Sequence, residues 1–459
     1  MKIKIKAVVS ASVMLLSAAI MNVEAKVSQA EADRLGTELT RMGGNPKGNA
    51  SGTIPAFTGE TLGVPKGVTY KGTGTFYPNP YPNEKPLFVV DGKNWEKYKE
   101  NLSDGQIALF KKYPDTFKMP VYPSKRDTRY PDRIYENIKR NAVTAEIVGS
   151  GNGIKNAFGG SPFAIPQNGV EAIWNHQYSP NPIFTEGVVA SVAVFNNGST
   201  SMRKQMESRY FAIFDPEQSY EKFDGVSARV LVEVTDPPRE KGKVTLVHEF
   251  MDLTEMPRNA WQYLPGTRRV RRAPTIAYDF PDGPGGLRTV DDALAFIGAT
   301  DRYDWKLEPT REIFIPYNNY EMDDPKHKYT DIATVNHPNP DFMRYELHRV
   351  WVVVATLKEG KRHVYGKRRL YLDEDSWAAL LADNYDGQGS LWRTTMRTFL
   401  NQYDMPGMMP RLEIYHDLQK GAYLLNNMSN EEGGPPAVPK EKRPLDYYTP
   451  ANLRKMGKG

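Results

Sequence analysis

The sequence predicts an α+β protein: a large, curved, open and half-barrel-like antiparallel sheet, covered by helices and a long N-terminal arm. Three observations predict it. Most helix signals fall before residue 180. From Gly187 onward the apolar residues form short runs of strand character, separated by turn residues. The 37 Gly and 35 Pro impose many turns and extended loops. Four segments follow: a signal peptide (1–25), N-terminal helices and a Pro/Gly-rich arm packed on the sheet (26–186), the sheet domain (187–425), and a polar Pro-rich tail (426–459).

Residues 1–25 read as a secretory signal peptide. Lys2, Lys4 and Lys6 precede an apolar core between Ala7 and Ile20 that is too short and too Ser-broken for a membrane anchor. Val23-Glu24-Ala25 offers the small residues of a cleavage site, so a soluble periplasmic chain beginning at Lys26 is expected. Cysteine is absent, which excludes disulfides, a thiol nucleophile, cysteine metal ligands and a lipidated cysteine. Removing three Lys and one Glu with the leader takes Lys+Arg to 57 and Asp+Glu to 54, a net charge of +3. That balance argues against a general nucleic-acid binder.

Ser28 and Glu31 form a capping pair for a helix over 28–42, in which Leu35, Leu39 and Met42 share a face before Gly43-Gly44. Residues 45–90 form the extended arm. Ser103-Asp104-Gly105-Gln106 is a capping box for a helix through Lys112. Pro131 starts a helix that aligns Ile134 with Ile138, and Asn168 caps a short one ending near His176.

Strand character then covers Val188–Phe195, Arg229–Thr235, Val244–Leu253, Ala260–Leu264 and Thr267–Arg272. The last two make a hairpin around Leu264-Pro265-Gly266-Thr267, with Trp261 and Tyr263 on one face. A short helix is expected at 291–297. The C-terminal meander runs from Glu346 to Leu357, back over His363–Leu372, through Trp377–Asp383 and, after Asp386-Gly387-Gln388-Gly389, along Leu391–Gln402. The tail from Glu431 is expected to pack loosely.

No motif announces a reaction. The seven histidines lack metal-site spacing, no Gly-x-Ser-x-Gly elbow exists, and Asp282–Gly286 lacks the ending of a phosphate loop. Neither a metal nor a cofactor is expected. Asp291-Asp292, Asp323-Asp324 and Asp373-Glu374-Asp375 read as turn carboxylates facing water. Arg268, Arg269, Arg271 and Arg272 read either as a charged strand edge or as a docking patch for an acidic partner or lipid phosphates. Trp174, Phe250, Trp261, Tyr263, Trp305, Trp351, Val353 and Trp377 are candidates for the lining of a hydrophobic groove, although core packing is the commoner fate of such residues.

Phe158–Phe163, Asn168–His176, the Tyr263–Pro274 hairpin and Tyr371–Trp377 resemble the periplasmic family called domain of unknown function 1329, whose members are labelled outer-membrane lipoprotein-sorting proteins. A weaker resemblance, of fold alone, is to the Lol-type lipoprotein carriers, in which an open curved sheet holds acyl chains without chemistry. The resemblance implies a non-catalytic carrier or chaperone for a lipid, lipoprotein acyl chains or another hydrophobic molecule. It also implies partnership with a resistance-nodulation-division type exporter and an outer-membrane protein. The alternatives are a structural subunit of an export complex and, supported by no constellation, an envelope hydrolase using the 373–386 carboxylates.

Overall fold

The computed structural model describes residues 27–219, 222–274, 276 and 278–456, so the expected signal peptide and its cleavage site near Ala25 lie outside the described residues. The chain begins with α1 (Gln29–Ala32). Its capping box is present, Glu31 accepting from the Ser28 backbone at 2.9 Å. The helix is far shorter than the predicted 28–42. Gly36 takes a left-handed φ of 85°, and the chain turns there, yet Leu35 and Met42 still reach the core.

After the arm come β1 (Phe88–Val90), α2 (Asp104–Lys112), β2 (Met119–Tyr122), α3 (Asp132–Thr144), a ribbon of β3 (Glu146–Val148) and β4 (Gly153–Lys155), and α4 (Gly169–Gln177). The main meander then runs β5 (Phe184–Val194), β6 (Thr200–Tyr210), β7 (Val226–Asp236), β8 (Val244–Phe250), β9 (Asn259–Leu264) and β10 (Arg269–Arg272). A small ribbon, β11 (Pro281–Asp282) with β12 (Arg288–Thr289), leads to a 3₁₀ turn at Val290–Ala295. The chain re-enters the sheet as β13 (Tyr303–Pro316) and passes α5 (Tyr329–Ile332). It continues through β14 (Tyr345–Leu357), β15 (Lys367–Asp373), β16 (Ala379–Tyr385), β17 (Leu391–Asn401), β18 (Met408–Asp417) and β19 (Ala422–Met428) to α6 (Pro450–Met456).

Fifteen strands form one open sheet in the order β1-β2-β14-β15-β16-β17-β18-β19-β5-β6-β7-β8-β9-β10, with β13 on the other side of β14. Every pairing is antiparallel except the short one of β2 with β14. The predicted hairpin is present, Tyr263 opposite Val270 and Trp261 opposite Arg272. Its second strand, β10, is the edge of the sheet among the described residues.

The central strands are buried on both faces, which explains their continuous apolar runs. On β14, Val350 and Val352 point into one core with Leu109 and Phe110 of α2. Trp351 and Val353 point into the opposite core with Ile134 and Ile138 of α3 and Ile173 and Trp174 of α4. The helices approach closely because glycine permits it. A Cβ on Gly105 would lie 2.0 Å from Thr394 Oγ1 and 2.3 Å from Asp383 Oδ1, and one on Gly169 would lie 2.5 Å from the Lys306 backbone nitrogen.

The tail does not pack loosely. Tyr448 and Leu453 are buried against β8 and β9, and the Tyr448 hydroxyl lies 2.8 Å from Ser208 Oγ. The 3₁₀ turn at 290–295, expected as a helix, is fixed by buried charge. Arg368 is fully buried and donates to Asp291 at 2.7 Å and Asp292 at 2.9 Å, while Tyr365 donates to Asp292 at 2.8 Å.

Two predictions follow from these buried charges. Arg368→Met leaves two buried carboxylates without their cation and should destabilise the fold by about 3–5 kcal/mol in denaturant titration. Asp383, buried beneath α2, is pushed up to about 6 by burial, against hydrogen bonds from Thr394 and Ser103. A carboxyl raised in the folded state contributes stability below its unfolded value near 4, and that contribution is lost as pH rises through about 6. The stability difference between Asp383→Asn and the wild type should therefore shift in favour of the variant between pH 4 and 6.5 and then level off. A flat difference across that range would refute the assignment.

Candidate binding clefts beside α3

The structure places the eight groove candidates in packed cores. Trp174, Phe250, Val353 and Trp377 are buried in one core, with Trp305 and Trp351 half-buried against it. Trp351 and Trp377 stack at 5.0 Å, and Trp377 and Trp174 donate to the Met42 and Gly151 carbonyls at 2.8 and 2.9 Å. Tyr263 and Trp261 lie apart from them, under α6. The concave face at α4 is thus filled by the protein's own side chains. His176 belongs to this filling: its Nδ1 accepts from the Ala379 backbone at 3.0 Å, and burial, then Arg397, lowers its pKa to about 3, so the ring is neutral. The four arginines, Arg268, Arg269, Arg271 and Arg272, are all exposed, on and just before edge strand β10.

Open space lies instead on either side of α3. Pro131, φ −58°, sets the start of this helix, whose Ile134, Tyr135 and Ile138 point inward. Its outer side then presents Arg133, Asn137 and Arg140. One cleft of about 580 Å³ is floored by Ile134, Ile183, Phe184, Met405 and Met409 and walled by tail residues Val438 to Lys442. A second, of about 620 Å³, is more polar, with Asn137, Arg140, Asn156, Phe158 and Phe214. Arg133, Asp215 and Pro216 line both.

Arg133 donates to the Phe214 carbonyl at 3.0 Å, and Arg140 to the Phe158 carbonyl at 2.9 Å. Among the described residues neither has a carboxylate within ion-pair distance. Burial lowers the Arg133 pKa from its ordinary value while Asp215 opposes the shift. Asp215 is itself engaged by Lys442 and by the Tyr210 hydroxyl. Burial raises Asp215, and these partners more than offset it, so its carboxyl sits below the usual range. The arrangement is an apolar trough with the Arg133 guanidinium at one side and, beyond α3, a more polar cleft that holds Arg140.

The turn carboxylates depart from expectation. Asp291, Asp292, Asp373, Glu374 and Asp375 are all buried. Arg126, whose side chain is wholly buried, reaches Asp375 at 2.7 Å and Glu374 at 3.0 Å, and Arg349 reaches Glu374 at 3.0 Å. Burial, and then Asp375, push Glu374 up to about 7. The cavity beside Asp375 measures about 10 Å³, too small for an organic substrate.

No candidate groove residue lines either cleft. The cleft residues come from six separated stretches, 130–144, 156–159, 180–184, 214–219, 404–409 and 438–442, and only two had a local signal. Ile134 lies on the predicted face of α3, and Met405 and Met409 stand in the Met/Pro-rich run 405–410, a composition suited to adaptable apolar surfaces.

Comparison with known proteins bears on the whole chain. An uncharacterized protein of Pseudomonas aeruginosa is 43% identical over 462 residues, covering 98% of this chain and 99% of the relative. Among solved structures, a DUF1329 family protein from Desulfovibrio piger covers 60% of this chain and 92% of its own at 15% identity, with a TM-score of 0.40. A LolA superfamily protein from Nitrosomonas europaea covers 61% and 97% at 14% identity, with a TM-score of 0.37. With TM-scores this low, neither places a residue of this chain. The model of the family described as protein of unknown function (DUF1329) matches residues 89–454, and the chain belongs to that family.

Proposed function

We propose that this protein is a non-catalytic periplasmic carrier or chaperone for a hydrophobic molecule, a lipid or lipoprotein acyl chain, held in the clefts beside α3. The observation that carries the reading is the cleft of about 580 Å³ floored by Ile134, Ile183, Phe184, Met405 and Met409. Both clefts fall in the size range of small-molecule sites, about 300–1,000 Å³. Each methylene moved from water onto such a floor gains about 0.8 kcal/mol, so an acyl chain of about ten carbons contributes several kcal/mol before ordering costs. Arg133 and Arg140 suit a carboxylate or phosphate head, which a guanidinium binds in bidentate fashion. Among the described residues no helix is long and apolar enough to cross a membrane. In this reading the cargo comes from a resistance-nodulation-division type exporter and passes to an outer-membrane protein, the route implied by the resemblance.

The exposed arginines of the 268–272 edge favour an accompanying role, docking on acidic lipid or protein surfaces. Replacing all four with Gln should abolish salt-sensitive binding to anionic vesicles while leaving cargo affinity unchanged.

The cleft is tested with a fluorescent fatty-acid probe and the mature protein purified without detergent. Ile183 and Val438 are only half-buried, so their replacement spares the core. Ile183→Gln with Val438→Gln should weaken probe binding at least tenfold. Arg133→Gln should weaken an anionic probe but not the corresponding alcohol. Equal binding by wild type and all variants would place the cargo elsewhere. A wild type that takes up no probe, and that emerges from the periplasm with a stoichiometric protein partner and no lipid, would favour the export-complex subunit.

A further inference from the structure

The turn between β15 and β16 carries a second constellation, independent of the clefts. Glu346 and His348 alternate along one face of β14, and Asp373 at the end of β15 pairs with Val350 of the same strand. Glu346, His348 and Asp373 are fully buried, and Asp375 is nearly so. One nitrogen of His348 and one oxygen each of Asp373 and Asp375 all lie within 4.8 Å of one another.

The hydrogen bonds around this group leave particular atoms over. His348 Nε2 faces Glu346 Oε2 at 3.2 Å, and its ring stacks on Tyr317 at 4.0 Å. Glu346 is held in turn by Arg344 at 2.8 Å and Asn318 at 2.9 Å. Among the described residues His348 Nδ1 has no hydrogen-bond partner. Ser376 Oγ donates to Asp373 Oδ2 at 2.6 Å, and among the described residues Asp373 Oδ1 has no partner. Leaving such atoms dry and unbonded in the interior is costly. Charge is also incomplete. Glu374 and Asp375 share Arg126 and Arg349, Glu346 has Arg344, and Asp373 has no cation within ion-pair distance among the described residues.

We propose that His348 Nδ1, Asp373 Oδ1 and an oxygen of Asp375 bind a divalent transition-metal ion. At the observed spacing a central ion sits no more than about 2.8 Å from each atom, so small side-chain shifts reach the ~2.0–2.2 Å of Zn–N and Zn–O bonds. An imidazole among carboxylates selects zinc or a neighbouring first-row ion over magnesium or calcium. The contact of Nε2 with Glu346 is the outer carboxylate that orients a ligating histidine. The cavity of about 10 Å³ lined by Arg126, Tyr317, Asn318 and Asp375 has room for about one water, a fourth ligand. The ion would staple β14 to the β15–β16 turn.

The probe is zinc alone, added to chelator-treated full-length mature protein. Calorimetry should show one tight site, and His348→Gln and Asp373→Asn should each weaken it at least tenfold. Zinc should raise the Tm of the wild type and not of the variants. Because surface histidines also take up zinc, wild-type crystals are soaked and anomalous scattering at the zinc edge locates the ion, a readout that stands even if neither variant folds. A peak within bonding distance of His348 and Asp373 is expected. No uptake by the wild type, uptake unchanged in both folded variants, or a peak only elsewhere would overturn the site.

Discussion

The buried guanidinium of Arg126 ties the arm to the sheet. Arg126 has no side-chain exposure, and its nitrogens reach the Asp375 carboxylate, Glu374, and the carbonyls of Asn45 and Pro55 at 2.7 to 3.2 Å. A buried charge is tolerable only when its donors are used, and Arg offers five in a fixed fork. Here those donors converge acceptors from the arm and from the β15–β16 turn, residues far apart in sequence. The arm between residues 45 and 87 has no strand or helix of its own. It therefore needs such anchors, and Glu84 adds another through Arg344 and Lys125 at 2.6 and 2.8 Å. Arg368 does for the 278–297 segment what Arg126 does for the arm. Both arginines stand where extended chain covers the sheet.

That covering decides where a ligand fits. An open sheet has two faces to shield. At its centre α2 shields one and α3 with α4 the other, and Trp174, Trp351 and Trp377 fill the space between. Space remains where α3 runs past the packed strands, on one side between the Met405–Met409 corner, the strand start at Ile183–Phe184 and the tail, and on the other beside Phe158 and Phe214.

Much of the fold was legible because it is locally encoded. The Ser103 and Asn168 caps, the Pro131 helix start and the 259–272 hairpin each sit within a few residues of their cause. Elements with mixed signals escaped. β6 reads Thr-Ser-Met-Arg-Lys-Gln-Met-Glu-Ser-Arg-Tyr, too polar to show alternation, because much of it stays half-exposed. β13 contains Pro309 and is bulged between Glu308 and Arg311, which breaks its period. The carboxylates of 373–375 and 291–292 have the composition of solvated turns. Their burial depends on Arg126, Arg349 and Arg368, which no local pattern links to them. The clefts escaped for the same reason, since an aromatic-rich strand marks a core and not a cavity.

The walls of the apolar cleft differ in strength. Its floor belongs to the main core, where opening exposes Ile134 and Met409 to water. The tail wall is attached by two backbone bonds between Glu186 and Ala437, at 2.8 and 3.0 Å, and by ion pairs of Arg443 with Glu186 and Lys442 with Glu217 and Asp215. The Arg443–Glu186 and Lys442–Glu217 pairs are substantially exposed, and exposed pairs contribute only about 0–1 kcal/mol each, whereas the Asp215 that Lys442 also meets is buried. Beyond them, Tyr448 and Leu453 hold the chain end in a separate core under α6. The tail segment is thus fixed at its far end by burial and along the cleft by backbone bonds and partly exposed charge pairs. In the proposed carrier, entry of a chain-like cargo at the tail wall would therefore disturb far less buried surface than entry through α4, where three tryptophans would have to move.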